Sequence, residues 1–112
     1  MQASLRLIFP KDRRHELQTS LQHFLSAMGG IPCTLKEEYY WKLESHIQLT
    51  ATLQSTSHSV EQIKAALLSA FSLPREDLTE YRDNSFVEIA KYSHPNATAY
   101  PDCLFLVLNL PQ

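Results

Sequence analysis

Between Ile31 and Leu53 the odd positions read Ile31, Cys33, Leu35, Glu37, Tyr39, Trp41, Leu43, Ser45, Ile47, Leu49, Ala51 and Leu53, while the even ones are nearly all polar. Successive side chains of an extended chain point to opposite faces, so this period of two demands strand with one face turned to a core. No Gly, Pro, Asn or Asp falls within residues 33–55. The segment is therefore one unusually long strand or two strands joined by a turn that preserves parity. A three-residue loop preserves it, at Lys36-Glu37-Glu38 or at Glu44-Ser45-His46, and the first is the expectation. Tyr39 and Trp41 fall on the core-facing parity, Tyr40 on the other.

A sheet with one apolar face needs a cover, and two segments have the helical period to supply it. Leu17, Leu21, Phe24, Leu25 and Met28 recur at i, i+4, i+7, i+8 and i+11, one stripe of an α-helix. Asp12 is the expected N-cap and Gly29-Gly30 the stop, since glycine adopts the left-handed conformation after a helix without steric cost. Burying those side chains contributes on the order of 7–15 kcal/mol before chain entropy is subtracted. Ser59-x-x-Gln62 has capping-box spacing ahead of Val60, Ile63, Ala66, Leu67, Ala70 and Phe71, a second stripe. Pro74 to Arg82, with acids in its first turn, is expected to form a further short helix.

The rest reads as strand. Leu5, Leu7 and Phe9 alternate with Ser4, Arg6 and Ile8 until Pro10 intervenes, Asp83-Asn84 signals a turn, and Phe86–Tyr92 and Cys103–Leu110 are the last strands. The final strand is apolar enough to be covered on both faces. The order β-α-β(β)-α-β-β predicts an α+β fold, residues 1–112 as a single domain. Its expected architecture is a two-layer sandwich, two main helices on one face of a four- or five-stranded, mainly antiparallel sheet, ferredoxin-like or related.

Composition removes several classes of function. At 44% hydrophobic and 20% charged residues, the chain has the balance of a folded globular protein rather than a disordered one. The longest apolar run, Cys103 to Leu108, is far shorter than the roughly 20 residues that span a bilayer. Arg6 interrupts the first apolar stretch, so no signal-peptide core forms and a cytoplasmic location is expected. Cys33 and Cys103 have no partners at metal-ligand spacing and are expected as reduced thiols.

The two glycines are adjacent, which rules out a glycine-rich phosphate cradle; H-E-x-x-H, C-x-x-C and G-x-S-x-G are all missing. No cofactor and no metal is expected. A pI near 6.2 argues against nucleic acid as partner.

Three groups of residues remain as candidates. Lys11, Arg13 and Arg14 crowd the start of the first helix, where the macrodipole disfavours cations, and a bound anion would explain them. On the sheet face away from the helices, Tyr40, Lys42, Glu44, His46 and Gln48 place an aromatic among mixed charges, the composition of an interface. Glu80, Asp83 and Glu88 add an acidic flank suited to a basic partner.

The expected function is a non-enzymatic protein-binding module, an inhibitor or immunity-type protein. It would neutralise a partner protein, such as a basic nuclease toxin, by occluding its active site. Membrane and nucleic acid are not expected as partners. One alternative is a small-anion or metabolite-sensing domain that forms a homodimer and holds its ligand at Lys11, Arg13 and Arg14. Another is a small enzyme in which Glu44 and His46 perform acid–base chemistry.

Overall fold

The computed structural model describes residues 3–30, 33–40, 45–54, 58–92 and 104–111. Along the chain these form β1 (Ala3–Pro10), α1 (Arg14–Ala27), β2 (Cys33–Tyr39), β3 (His46–Leu53), α2 (Val60–Ala70), β4 (Thr79–Arg82), β5 (Phe86–Lys91) and β6 (Phe105–Pro111). The strands make one sheet of six, in the order β2-β3-β1-β6-β5-β4, and every neighbouring pair is antiparallel. Two helices packed against this sheet make an α+β fold, with more strands than the four or five expected. Both β1 and β2 run antiparallel to β3, which lies between them, so α1 connects two parallel strands across an inserted third.

The expected alternation places the core. On β1, Leu5, Leu7 and Phe9 are buried, and they face Ala51, Leu49 and Ile47 across β3. On the other side Leu5 and Leu7 lie opposite Leu108 and Leu106 of β6. Leu17, Leu21 and Phe24 of α1 and Ile63 and Leu67 of α2 close over these side chains in the same apolar cluster. The intervening positions of β3, His46, Gln48, Thr50 and Thr52, are half-buried on the opposite face.

Helix ends follow local chemistry. The capping box at α2 forms as expected: Gln62 N–H donates to Ser59 Oγ at 3.2 Å, and Ser59 N–H donates to Gln62 Oε1 at 2.8 Å. Helix α1 stops at Gly29 (φ 82°) and Gly30 (φ 69°), whose N–H groups donate to Ser26 and Leu25 carbonyls at 3.0 and 2.8 Å. Helix α2 closes with the same pair of bonds, from Ser72 to Ser69 and Leu73 to Leu68, but there the left-handed residue is Ser72, at φ 53°.

Several expectations are corrected. Asp12 does not cap α1; it sits within a 3-10 turn, Lys11–Arg13, and the cap position falls to Arg13 without a side-chain bond. The long alternating segment is two strands, but Lys36-Glu37-Glu38 lies within β2 and the connection falls between Tyr40 and Ser45. A turn at 36–38 would have left only 33–35 to pair, whereas the observed register pairs the backbone along all of β2. Parity alone is blind to that choice.

From Pro74 to Arg82 only Arg75–Asp77 is helical, as one 3-10 turn, and Thr79–Arg82 is strand β4 on the edge of β5. Leu78 and Tyr81 have a spacing that suits a helix in isolation; ladder hydrogen bonds to Val87–Ala90 override it. The two faces of strand β6 are unequal: Leu106, Leu108 and Leu110 are buried against the helices, while Phe105, Val107 and Asn109 are half-buried on the other face. Leu35 and Tyr39 share the helix-side parity yet are 50% and 70% exposed, because β2 is the sheet's edge and has a described neighbour on one side only.

Candidate functional site

The sheet face turned away from the helices divides into two unlike halves. Registration across β1, β6 and β5 aligns Ile8 with Phe105, Arg6 with Val107 and Ala90, and Asn109 with Glu88. On β4, Tyr81 stands opposite Glu88, and its ring lies 5.7 Å from that of Phe86. Tyr92, just past β5, has its ring 5.3 Å from Phe105, and Arg6 places its guanidinium 5.6 Å from the centre of the same Phe105 ring. Tyr81 and Tyr92 are 55% and 60% exposed. This half thus carries two aromatic pairs towards opposite ends of β5, Tyr81 with Phe86 and Tyr92 with Phe105, with Glu88 and the buried Ala90 between them.

The other half, on β2 and β3, is polar: Thr34, Lys36 and Glu38 face Thr52, Thr50 and Gln48 in register. Gln48 Nε2 donates to Glu38 Oε1 at 3.4 Å. Of the residues expected at the interface, Tyr40, His46 and Gln48 belong to this half and Glu88 to the aromatic one. Lys42 and Glu44 lie outside the described residues, and with Glu44 goes the geometry of its pairing with His46.

The structure sets His46 beside other groups: Ser45 Oγ is 3.1 Å from Nδ1. Partial burial holds the His46 pKa below its ordinary value, and the weaker opposing influence is the negative charge of Asp12. The neutral ring is therefore favoured at pH 7.

The acidic flank does not stand together. Glu80 points to the helix side of β4, where Lys64 Nζ approaches its Oε1 at 3.2 Å and Arg82 Nε donates to Oε2. These partners, Arg82 first, hold the Glu80 carboxyl below the usual carboxylate range. Asp83 is used locally, its Oδ1 accepting from Ser85 N–H at 3.2 Å to set the β4–β5 turn expected at Asp83-Asn84.

At the strand ends near α1 the basic cluster is likewise partnered. Arg13 Nη1 is 3.1 Å from Glu16 Oε1, Arg14 Nη2 is 2.5 Å from Glu37 Oε2, and Lys11 Nζ lies 5.4 Å from the centre of the Tyr39 ring. Lys11, Arg14, Glu37, Glu38, Tyr39 and Ile47 line an open cleft of about 180 Å³. With both signs of charge on its walls, the cleft offers an anion two cations that already have partners. Among the described residues no group of His, Cys, Asp and Glu could hold a metal ion, and no helix is long and apolar enough to cross a membrane.

The aromatic half leaves a signal in the sequence. Phe86, Glu88, Ala90 and Tyr92 share one parity, and Phe105, Val107 and Asn109 share another that registration brings to the same face. A helix over Pro74–Arg82 takes Tyr81 out of the sheet, whereas strand β4 sets it opposite Glu88. No protein-family model matches the chain, and neither the curated proteins nor the solved structures contain a significant match to it.

Proposed function

We propose that this protein is a protein-binding module whose contact surface is the sheet face opposite the helices, centred on its aromatic half. One observation carries the reading: two aromatic pairs, Tyr81 with Phe86 and Tyr92 with Phe105, lie on that face, and Tyr81 and Tyr92 are each more than half exposed. Tyrosine and phenylalanine on a rigid sheet present large apolar area at little cost in side-chain entropy, the chemistry of interface centres. Glu88 opposite Tyr81 and Arg6 over Phe105 add polar groups to the same face. The finer reading is an inhibitor or immunity-type protein that lays this face over a partner's active site.

The test is a quantitative pull-down from the native source, followed by titration of the captured partner. Tyr81→Ser and Tyr92→Ser, at exposed positions the fold tolerates, are expected to weaken binding by about 1–2 kcal/mol each. Partner activity should fall on addition of the wild type at stoichiometric concentration. Undiminished affinity in the double variant would exclude this face, and a bound but fully active partner would exclude inhibition.

A further inference from the structure

We infer that the outer edge of β2, which no other described strand covers, pairs with β2 of a second copy of this chain, antiparallel and centred on Glu37, to form a weak homodimer with one continuous sheet. The two edges of the sheet differ. Strand β4 is short, and its side chains are engaged with Lys64 and Glu61 of α2 through Glu80 and Arg82. Strand β2 runs from Cys33 to Tyr39 with all but its first residue exposed, including Leu35 and Tyr39. An exposed edge strand of this length leaves a row of backbone groups able to pair with another strand, and with Lys36 and Glu38 on it the partner must match charge for charge.

Backbone geometry sets which groups are available. Tyr40 N–H donates to His46 O at 3.1 Å, so the even residues of β2 turn their N–H and C=O groups to β3. Leu35, Glu37 and Tyr39 consequently turn theirs outward. A two-fold axis perpendicular to the sheet keeps helix side with helix side, so only residues of like parity can face each other. About Glu37, Leu35 meets the partner copy's Tyr39 on the helix side, and Lys36 meets its Glu38 on the opposite face, each contact occurring twice.

The like charges at the centre are compensated within each copy, because Arg14 Nη2 lies 2.5 Å from Glu37 Oε2. Neighbouring registers are worse. Centring on Lys36 sets that lysine against itself and Leu35 against Glu37, and centring on Glu38 sets Glu38 against itself and Tyr39 against Glu37. In the favoured register Lys36 and Glu38 occupy a non-hydrogen-bonded pair, the closer of the two cross-strand spacings.

A seam of this length buries less than the ~1,200 Å² of a standard interface, so a dissociation constant on the order of 100 µM is expected. The seam is distinct from the aromatic surface, and either can fail without the other. Sedimentation equilibrium of the full chain from about 10 µM to 1 mM measures it, alongside far-UV circular dichroism to check the fold. Lys36→Glu places acid opposite acid twice and is expected to loosen the dimer about tenfold. Lys36→Glu combined with Glu38→Lys reverses both charges and is expected to restore it. A chain that stays monomeric to 1 mM, or a dimer indifferent to Lys36→Glu, or one that the double exchange fails to restore, overturns the pairing.

Discussion

Ser72→Gly should stabilise this protein, and Gly29→Ala should destabilise it by a similar amount. The two residues do the same task at the ends of α2 and α1, taking the left-handed conformation at φ 53° and φ 82°. In each case the residue's N–H and that of the next close back on the helix. A Cβ in that conformation costs about 1–2 kcal/mol through its contact with the backbone. Removing it at Ser72 relieves that cost, but glycine also enlarges the unfolded ensemble, which offsets about 0.4–1 kcal/mol.

The net expectation for Ser72→Gly is a gain of about 0.5–1 kcal/mol. At Gly29 the signs reverse, and nothing lies within 4 Å of the position a Cβ would occupy, so no packing clash adds to the loss. For 112 residues an unfolding entropy of about 2.1 cal/mol/K each converts these changes to about 2–4 °C in Tm, upward and downward respectively. Urea melts with unchanged slope are the assay. If Ser72→Gly lowers the midpoint, the left-handed serine carries no strain and this account of the helix ends is wrong.

Two titrations and the two surfaces complete the expectations. Because the His46 pKa lies below its unfolded value, the unfolded chain takes up the proton first, and stability should fall as pH drops below about 6.5; His46→Gln should flatten that slope in melts across pH 5–8. Glu80 is also lowered, chiefly by Arg82, so its contribution is complete above the unfolded carboxyl pKa and vanishes as pH falls through the folded one. Glu80→Gln should cost at most about 1 kcal/mol at pH 7 and remove that part of the acid sensitivity, read from melts carried below about pH 4. Tyr81→Ser with Tyr92→Ser should weaken partner binding by about 2–4 kcal/mol together, and the charge exchange at Lys36 and Glu38 should loosen and then restore self-association.

Local chemistry was legible in this chain wherever one residue type has one physical reason to be where it is. Gly29-Gly30 had to stop α1, Ser59 and Gln62 had to open α2, and the odd-position alternation from Ile47 to Leu53 had to turn to a core. These follow from steric freedom, hydrogen-bond reach and the two-residue period of strand, all readable within a few positions. That two helices pack against a largely antiparallel sheet followed as well, since amphipathic faces must be buried against something.

Long-range registration decided the rest. Whether Lys36-Glu37-Glu38 turns or extends depends on the ladder with Thr50–Ile47, and whether Leu78 to Tyr81 coils or pairs depends on Val87–Ala90. Both segments satisfy either local preference equally, and the backbone hydrogen bonds offered by a distant strand break the tie. The candidate surface follows the same rule: Tyr81 meets Phe86, and Tyr92 meets Phe105, on one face only when β4, β5 and β6 lie side by side. Edge status, too, belongs to the assembled sheet, which is why Leu35 and Tyr39 carry core-like spacing and yet face solvent.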